Sequence, residues 1–132
     1  MIELNLLGIL VATITGMVLG ALWYSPVLFQ RQWMAGIGKT PETLGSQTAA
    51  MIGSIVASLL SAIGVSLLFT LCGIASLSGA VSLGAILGLF IIFPALLSDN
   101  LFCGWGTPLL MIQSGYRVLS VLLMSVAIYY VA

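Results

Sequence analysis

The run GILVATITGMVLGALWYSP, Gly8–Pro26, decides how the rest of the chain is read. It holds no charged residue, and Gly8, Ala12, Gly16 and Gly20 recur every four residues, so one face of a helix built from it carries almost no side chain. A second helix can approach that face closely, which is how helices associate in lipid, where apolar burial alone supplies no drive. Trp23 and Tyr24 follow, placed as amphipathic rings are at the boundary between hydrocarbon and water. Pro26 then ends the helix, because the residue before a proline is pushed out of the α region.

The composition carries this character outward to the whole chain. Of 132 residues, 61% are hydrophobic and 5% charged, there is no histidine, and the mean hydropathy is +1.28. Water-soluble domains carry about 25% charged residues, so this chain cannot coat a surface that faces water. At about 20 residues per span there is room for four or five crossings and for no separate soluble domain. Residues 1–132 therefore read as a single integral membrane domain. The fold class is all-α and polytopic: a compact four-helix bundle with spans at about 4–24, 47–72, 78–98 and 108–130, plus a short interfacial segment at about 27–46.

The amino terminus lacks the basic region of a cleavable signal, so the first helix is expected to be retained, with Glu3 and Asn5 at its outer edge. In the segment behind it, Phe29, Trp33, Met34 and Ile37 alternate with Gln30, Arg31, Gln32 and Lys39. That pattern suits a short helix lying in the interface with its aromatic side toward lipid, or a loop with anchoring rings. Thr40-Pro41-Glu42 has the form of a helix start, and Gly73 that of a helix end. On the second span Ser54, Ser58 and Ala62 extend a four-residue repeat that runs from Ala50 to Ser66, a packing face and, in a second reading, a polar lining. Ala80, Gly84 and Gly88 repeat it on the third. Pro94 is expected to bend that helix, with Asp99 and Asn100 marking its exit to water. The connection Leu101–Thr107 is apolar enough to dip into the interface or cap the bundle. Tyr129 and Tyr130 form a second aromatic belt, opposite that of Trp23, Tyr24 and Trp33.

Three basic and three acidic residues give zero net charge without a run of either sign, so no nucleic-acid partner is expected. With four crossings, Arg31, Lys39 and Arg117 all fall in one half. The excess of positive charge places that half in the cytoplasm and both termini outside. Arg117 lies about 13 Å into the last helix, where a guanidinium facing lipid is costly. The first expectation is that it reaches back to Asp99 in an ion pair. The second is that it joins Tyr116, Gln113, Trp105 and Tyr24 in a vestibule for an anionic lipid headgroup or small anion.

Cys72 and Cys103 fall in turns on opposite faces and are expected to be packing residues, not a disulfide. No carboxylate pair, serine elbow or metal-ligand spacing is present, so neither an enzyme nor a cofactor or metal site is expected.

The residues WYSP at 23–26, the segment Phe29–Met34 behind them, and Gly115-Tyr116-Arg117 in the last helix resemble, in that order, the small bacterial four-helix membrane proteins grouped as domain of unknown function number 1761. The resemblance covers nearly the whole chain. In that family an asparagine commonly stands near the Gly-Tyr pair, where this chain has Gln113 and Ser114. The resemblance implies architecture only and no activity, and the expected location is a multi-pass one in a bacterial inner membrane. Two functional readings remain. One is a homo-oligomeric bundle with a packing or interaction role, since three small-residue stripes exceed what one chain needs for itself. The other is a small transporter or channel for an anionic or neutral solute with a site near Arg117 at the cytoplasmic end. No acid lies within the first helix, which argues against proton-coupled export of cations.

Overall fold

The computed structural model describes residues 4–131, so Glu3 lies outside it. Helix α1 spans Leu6–Trp23, α2 Gln30–Ile37 and α3 Thr48–Cys72. The third span, Leu77–Cys103, has three parts: α4 (Leu77–Ile86), a π-helical segment (Leu87–Ile92) and α5 (Phe93–Cys103). Helix α6, Thr107–Val131, completes the chain. Four of these helical stretches are long and apolar enough to cross a membrane, so the chain is an all-α membrane-type bundle.

Local chemistry sets most boundaries. Asn5 caps α1 by accepting a hydrogen bond from the Gly8 amide at 2.9 Å, and Ser76 caps α4 through the Gly79 amide at 3.0 Å. Gly73 and Gly104 take the left-handed conformation (φ 63° and 69°) that ends α3 and α5 without a Cβ clash. Thr40-Pro41-Glu42, in contrast, starts no helix. Thr40 and Thr43 close a single turn on each other, Thr43 N to Thr40 O at 3.0 Å and Thr40 N to Thr43 Oγ1 at 2.8 Å. Gly45, at φ 77°, then leads the chain away from the helical path.

The core sits on α6. This helix packs against α1, α2, α3 and all three parts of the third span. Half of its most apolar window is buried, against 17% for the third span. The stripes expected from the sequence make the contacts. A Cβ on Gly84 would lie 2.7 Å from Leu122 Cα, one on Gly88 2.9 Å from Val118 Cγ1, and one on Gly16 2.5 Å from Met124 Cε. Ala12, Ala62 and Ala80 are wholly enclosed. Because the backbones are close, side chains bond across helices: Ser125 Oγ donates to Ala80 O at 2.6 Å, and Trp23 Nε1 to Ile112 O at 2.9 Å. Such bonds contribute about 0.6 kcal/mol each.

Several boundaries and faces differ from expectation. The third span runs on to Cys103, so Asp99 and Asn100 lie inside a helix instead of at its exit. Pro94, which has no N–H to give, is accommodated by the π segment just before it, which takes up the slack in the bonding pattern. Leu101 and Phe102 cap nothing; Phe102 is 91% exposed. Gly8 serves its own cap, since Asn5 Nδ2 lies 2.6 Å from where a Cβ would stand. Ala50 and Ser54 are exposed, as is every residue from Thr48 to Val56, because only the second half of α3 is covered by α1 and α6. Cys72 and Cys103 are exposed free thiols, not packing residues.

Candidate functional site

Tyr24, Trp33, Tyr116 and Arg117 form a contiguous set at the junction of α1, α2 and α6. Helix α2 turns its rings onto the bundle, not to lipid: Trp33 meets Tyr24 edge-on at 5.4 Å, and Phe29 meets Trp23 at 4.9 Å. Tyr24 in turn packs against Tyr116 at 5.5 Å. Tyr116 is buried under the glycine face of α1 and donates its hydroxyl to Gly16 O at 3.1 Å. Absence of a side chain at Gly20 makes room for that ring, whose Oη would lie 3.0 Å from a Cβ there. Trp23 covers Gly115 in the same way. The Trp-Tyr pair ending α1 therefore rests directly on the Gly-Tyr pair of α6.

Arg117 follows Tyr116 and lies at the open edge of this packed set. Its Cζ lies 5.1 Å from the Tyr116 ring centroid, and its side chain is exposed. The ion pair expected with Asp99 does not form. Asp99 faces outward from α5, while the next residue, Asn100, turns inward, is 4% exposed and donates to Gly106 O at 3.0 Å. The amide, neutral and able to close the α5–α6 turn, takes the buried position that a bare carboxylate would occupy at high cost. Nor does a vestibule gather all the expected members. Trp105 is 44% exposed in the turn before α6, and Gln113 is half-buried one helical turn from Arg117.

What surrounds Arg117 instead is a cleft lined by Ser58 and Ser61 of α3, Ile92 of the π segment, and Ser120, Val121 and Met124 of α6. Spans α3, Leu77–Cys103 and α6 have their midpoints at Leu60, Phe90 and Leu119. Both α3 serines, Ile92, Arg117 and Ser120 lie within two residues of those midpoints. The Arg117 backbone thus stands near the middle of its span, while its guanidinium lies over the Tyr116 ring. Ser58 and Ser120 are only 5% and 6% exposed, and their hydroxyls converge on Gly16, 3.3 and 3.4 Å from where its Cβ would be. Neither hydroxyl, nor that of Ser61, has a hydrogen-bond partner among the described residues. Three other helical hydroxyls bond to carbonyls of their own helix: Thr13 to Ile9 O at 2.7 Å, Thr15 to Val11 O at 2.8 Å, and Ser114 to Leu110 O.

The cleft is therefore rich in donors. A guanidinium offers five N–H groups and each hydroxyl one O–H, and the acids of the chain, Glu3, Glu42 and Asp99, all lie outside the middle third of any span. Such a set stabilises negative charge. Ser120 and Ser61 carry no motif, and only their place beside Arg117 after folding reveals them. A larger cavity of about 380 Å³ lies at the end of the bundle where α1 begins and α3 ends, lined by Asn5, Ser66, Phe69, Thr70 and neighbours, without an ionisable group among them. Among the described residues no cluster of three metal-binding side chains occurs.

A family model described as "Protein of unknown function (DUF1761)" matches residues 7–129. No curated protein and no solved structure matches the chain. With the α1 and α6 motifs joined in one interface and the match covering nearly every residue, the chain belongs to the DUF1761 family.

Proposed function

We propose that this membrane protein binds an anionic solute near mid-span and serves its passage, with Arg117 as the charge that holds it. One observation carries the reading: an exposed arginine two residues from the midpoint of α6, lining one cleft with three hydroxyls without partners among the described residues, with no carboxylate of its own chain beside it. A cation at that depth is costly unless paired, and a diffusible anion supplies the pairing. The protein acts on its solute without covalent chemistry, since no nucleophile with an adjacent base accompanies the arginine.

The test is charge displacement on a solid-supported membrane carrying the reconstituted protein, after concentration jumps of chloride, phosphate and carboxylates from acetate to long-chain fatty acid anions. Wild type is expected to respond to at least one anion, Arg117→Lys to retain part of the response, and Arg117→Gln to lose it. Equal responses from wild type and Arg117→Gln overturn the reading.

Self-association is a second reading, favoured by the uncovered first half of α3, where Thr48–Val56 are all exposed and Gly53 has nothing within 4 Å. A small-residue face left free in one chain suits a second copy. A monomer throughout in native mass spectrometry from mild detergent removes this reading and leaves the first intact.

A further inference from the structure

We infer that the occupant of the Arg117 cleft is an anionic amphiphile, one carboxylate head on an apolar chain, which reaches the site sideways from the bilayer and not from water. This rests on the anion reading above and adds the ligand class and its route.

The route follows from the packing. Helix α3 packs on α1 and α6, and the third span chiefly on α6; the two scarcely touch one another, so the strip of α6 between them is open to the side. The lining residues of the cleft span only 58–61 on α3 and 117–124 on α6, about two helical turns around the middle of the bundle. The cleft thus opens where lipid chains lie, at a depth that a hydrated ion meets only after crossing hydrocarbon.

The ligand class follows from size and chemistry. The enclosed space is about 30 Å³. One water needs about 10–15 Å³ on this measure, so the space takes a head of two or three heavy atoms and not a whole molecule. A carboxylate fits: its two oxygens match the fork of a guanidinium, and their remaining lone pairs accept from the hydroxyls of Ser58, Ser61 and Ser120. The rest of that lining is apolar, Ile92, Val121 and Met124, so the head meets no acceptor there and the methylene chain, for which the space has no room, runs out into the lipid. An amphiphile thereby satisfies the donors without drawing its own polar groups into hydrocarbon, and the tail stays in a lipid environment throughout.

The experiment uses full-length protein in phosphatidylcholine vesicles at alkaline pH, with electron spin resonance of stearic acid carrying a nitroxide near its chain end. Spin-labelled phosphatidylcholine is the reference. Wild type is expected to immobilise the acid several-fold more than the reference. Arg117→Gln is expected to weaken this selectivity about tenfold, as loss of one charge-assisted pair does, and the double variant Ser58→Ala/Ser120→Ala to weaken it less. Far-UV circular dichroism and gel filtration establish that the variants fold. A parallel arm adds excess butyrate from the water phase. If butyrate displaces the acid at matched concentration, or binds through Arg117 while the acid does not, the amphiphile proposal falls and the anion reading stands. If neither probe depends on Arg117, both fall.

Discussion

Gly84 faces α6 with no room for a methyl group. Its Cβ would stand 2.7 Å from Leu122 Cα, and a backbone atom cannot rotate aside. Gly84→Ala is therefore expected to force the helices apart and cost about 1–3 kcal/mol, the usual penalty of overpacking. Gly64, with nothing within 4 Å, supplies the contrast. There Ala should gain up to about 1 kcal/mol from helix propensity alone. Thermal unfolding of both variants in one detergent checks the pair, and a Gly84→Ala protein as stable as Gly64→Ala would refute the packing account. At this scale the sequence was informative wherever chemistry repeats with a period: Gly16, Gly20, Ser58, Ala62, Gly84 and Gly88 stand on the faces that their spacing assigns. It was misleading for Asp99 and Asn100. Adjacent positions on a helix point about 100° apart, so spacing to Arg117 could not tell which of the two turns inward.

The helices themselves were legible because a span needs only length and apolarity, and α1, α3 and α6 begin and end within about two residues of their expected limits. The third span was read five residues short. A proline followed by Asp-Asn resembles a helix end, yet Gly104 is the residue that ends it. The π segment leaves no sequence signature of its own. A π turn holds about one residue more than an α turn, so it behaves as an insertion absorbed in place. Deleting one residue between Leu87 and Ile92, such as Phe90, is therefore expected to restore α-helix while keeping Gly84 on Leu122 and Asn100 on Gly106. Deleting Val81 instead turns the Ala80–Gly84 contact face by about 100°. The first variant should remain monodisperse on gel filtration with near-native melting, whereas the second should aggregate. Comparable behaviour of the two would mean that the π segment absorbs no insertion. The site at this scale was half legible. Arg117 stood out as a lone charge, but the serines that flank it come from α3 and α6, whose adjacency only the fold supplies.

The topology of the whole molecule brings α6 to the centre with α1 and α3 on one side and the third span on the other. Four antiparallel crossings put the end of α3 and the end of α5 on opposite faces of the membrane, and each carries a native thiol, Cys72 and Cys103. Both are exposed, so they report sidedness without added labels. The basic residues Arg31 and Lys39 lie in the α1–α3 connection, on the same face as Cys103. The bias of positive charge toward the cytoplasm predicts an orientation with Cys103 inside and Cys72 outside. A membrane-impermeant maleimide applied to intact cells should label Cys103→Ser, which keeps Cys72, and spare Cys72→Ser until the membrane is opened. The reverse pattern would invert the molecule and place both termini inside. Labelling of both variants from outside would be incompatible with the single span, Leu77–Cys103, between the two thiols, or would require copies inserted in both orientations. Because the Arg117 cleft is near the midplane, its access from the lipid is the same in either orientation, so the labelling decides sidedness independently of the anion site.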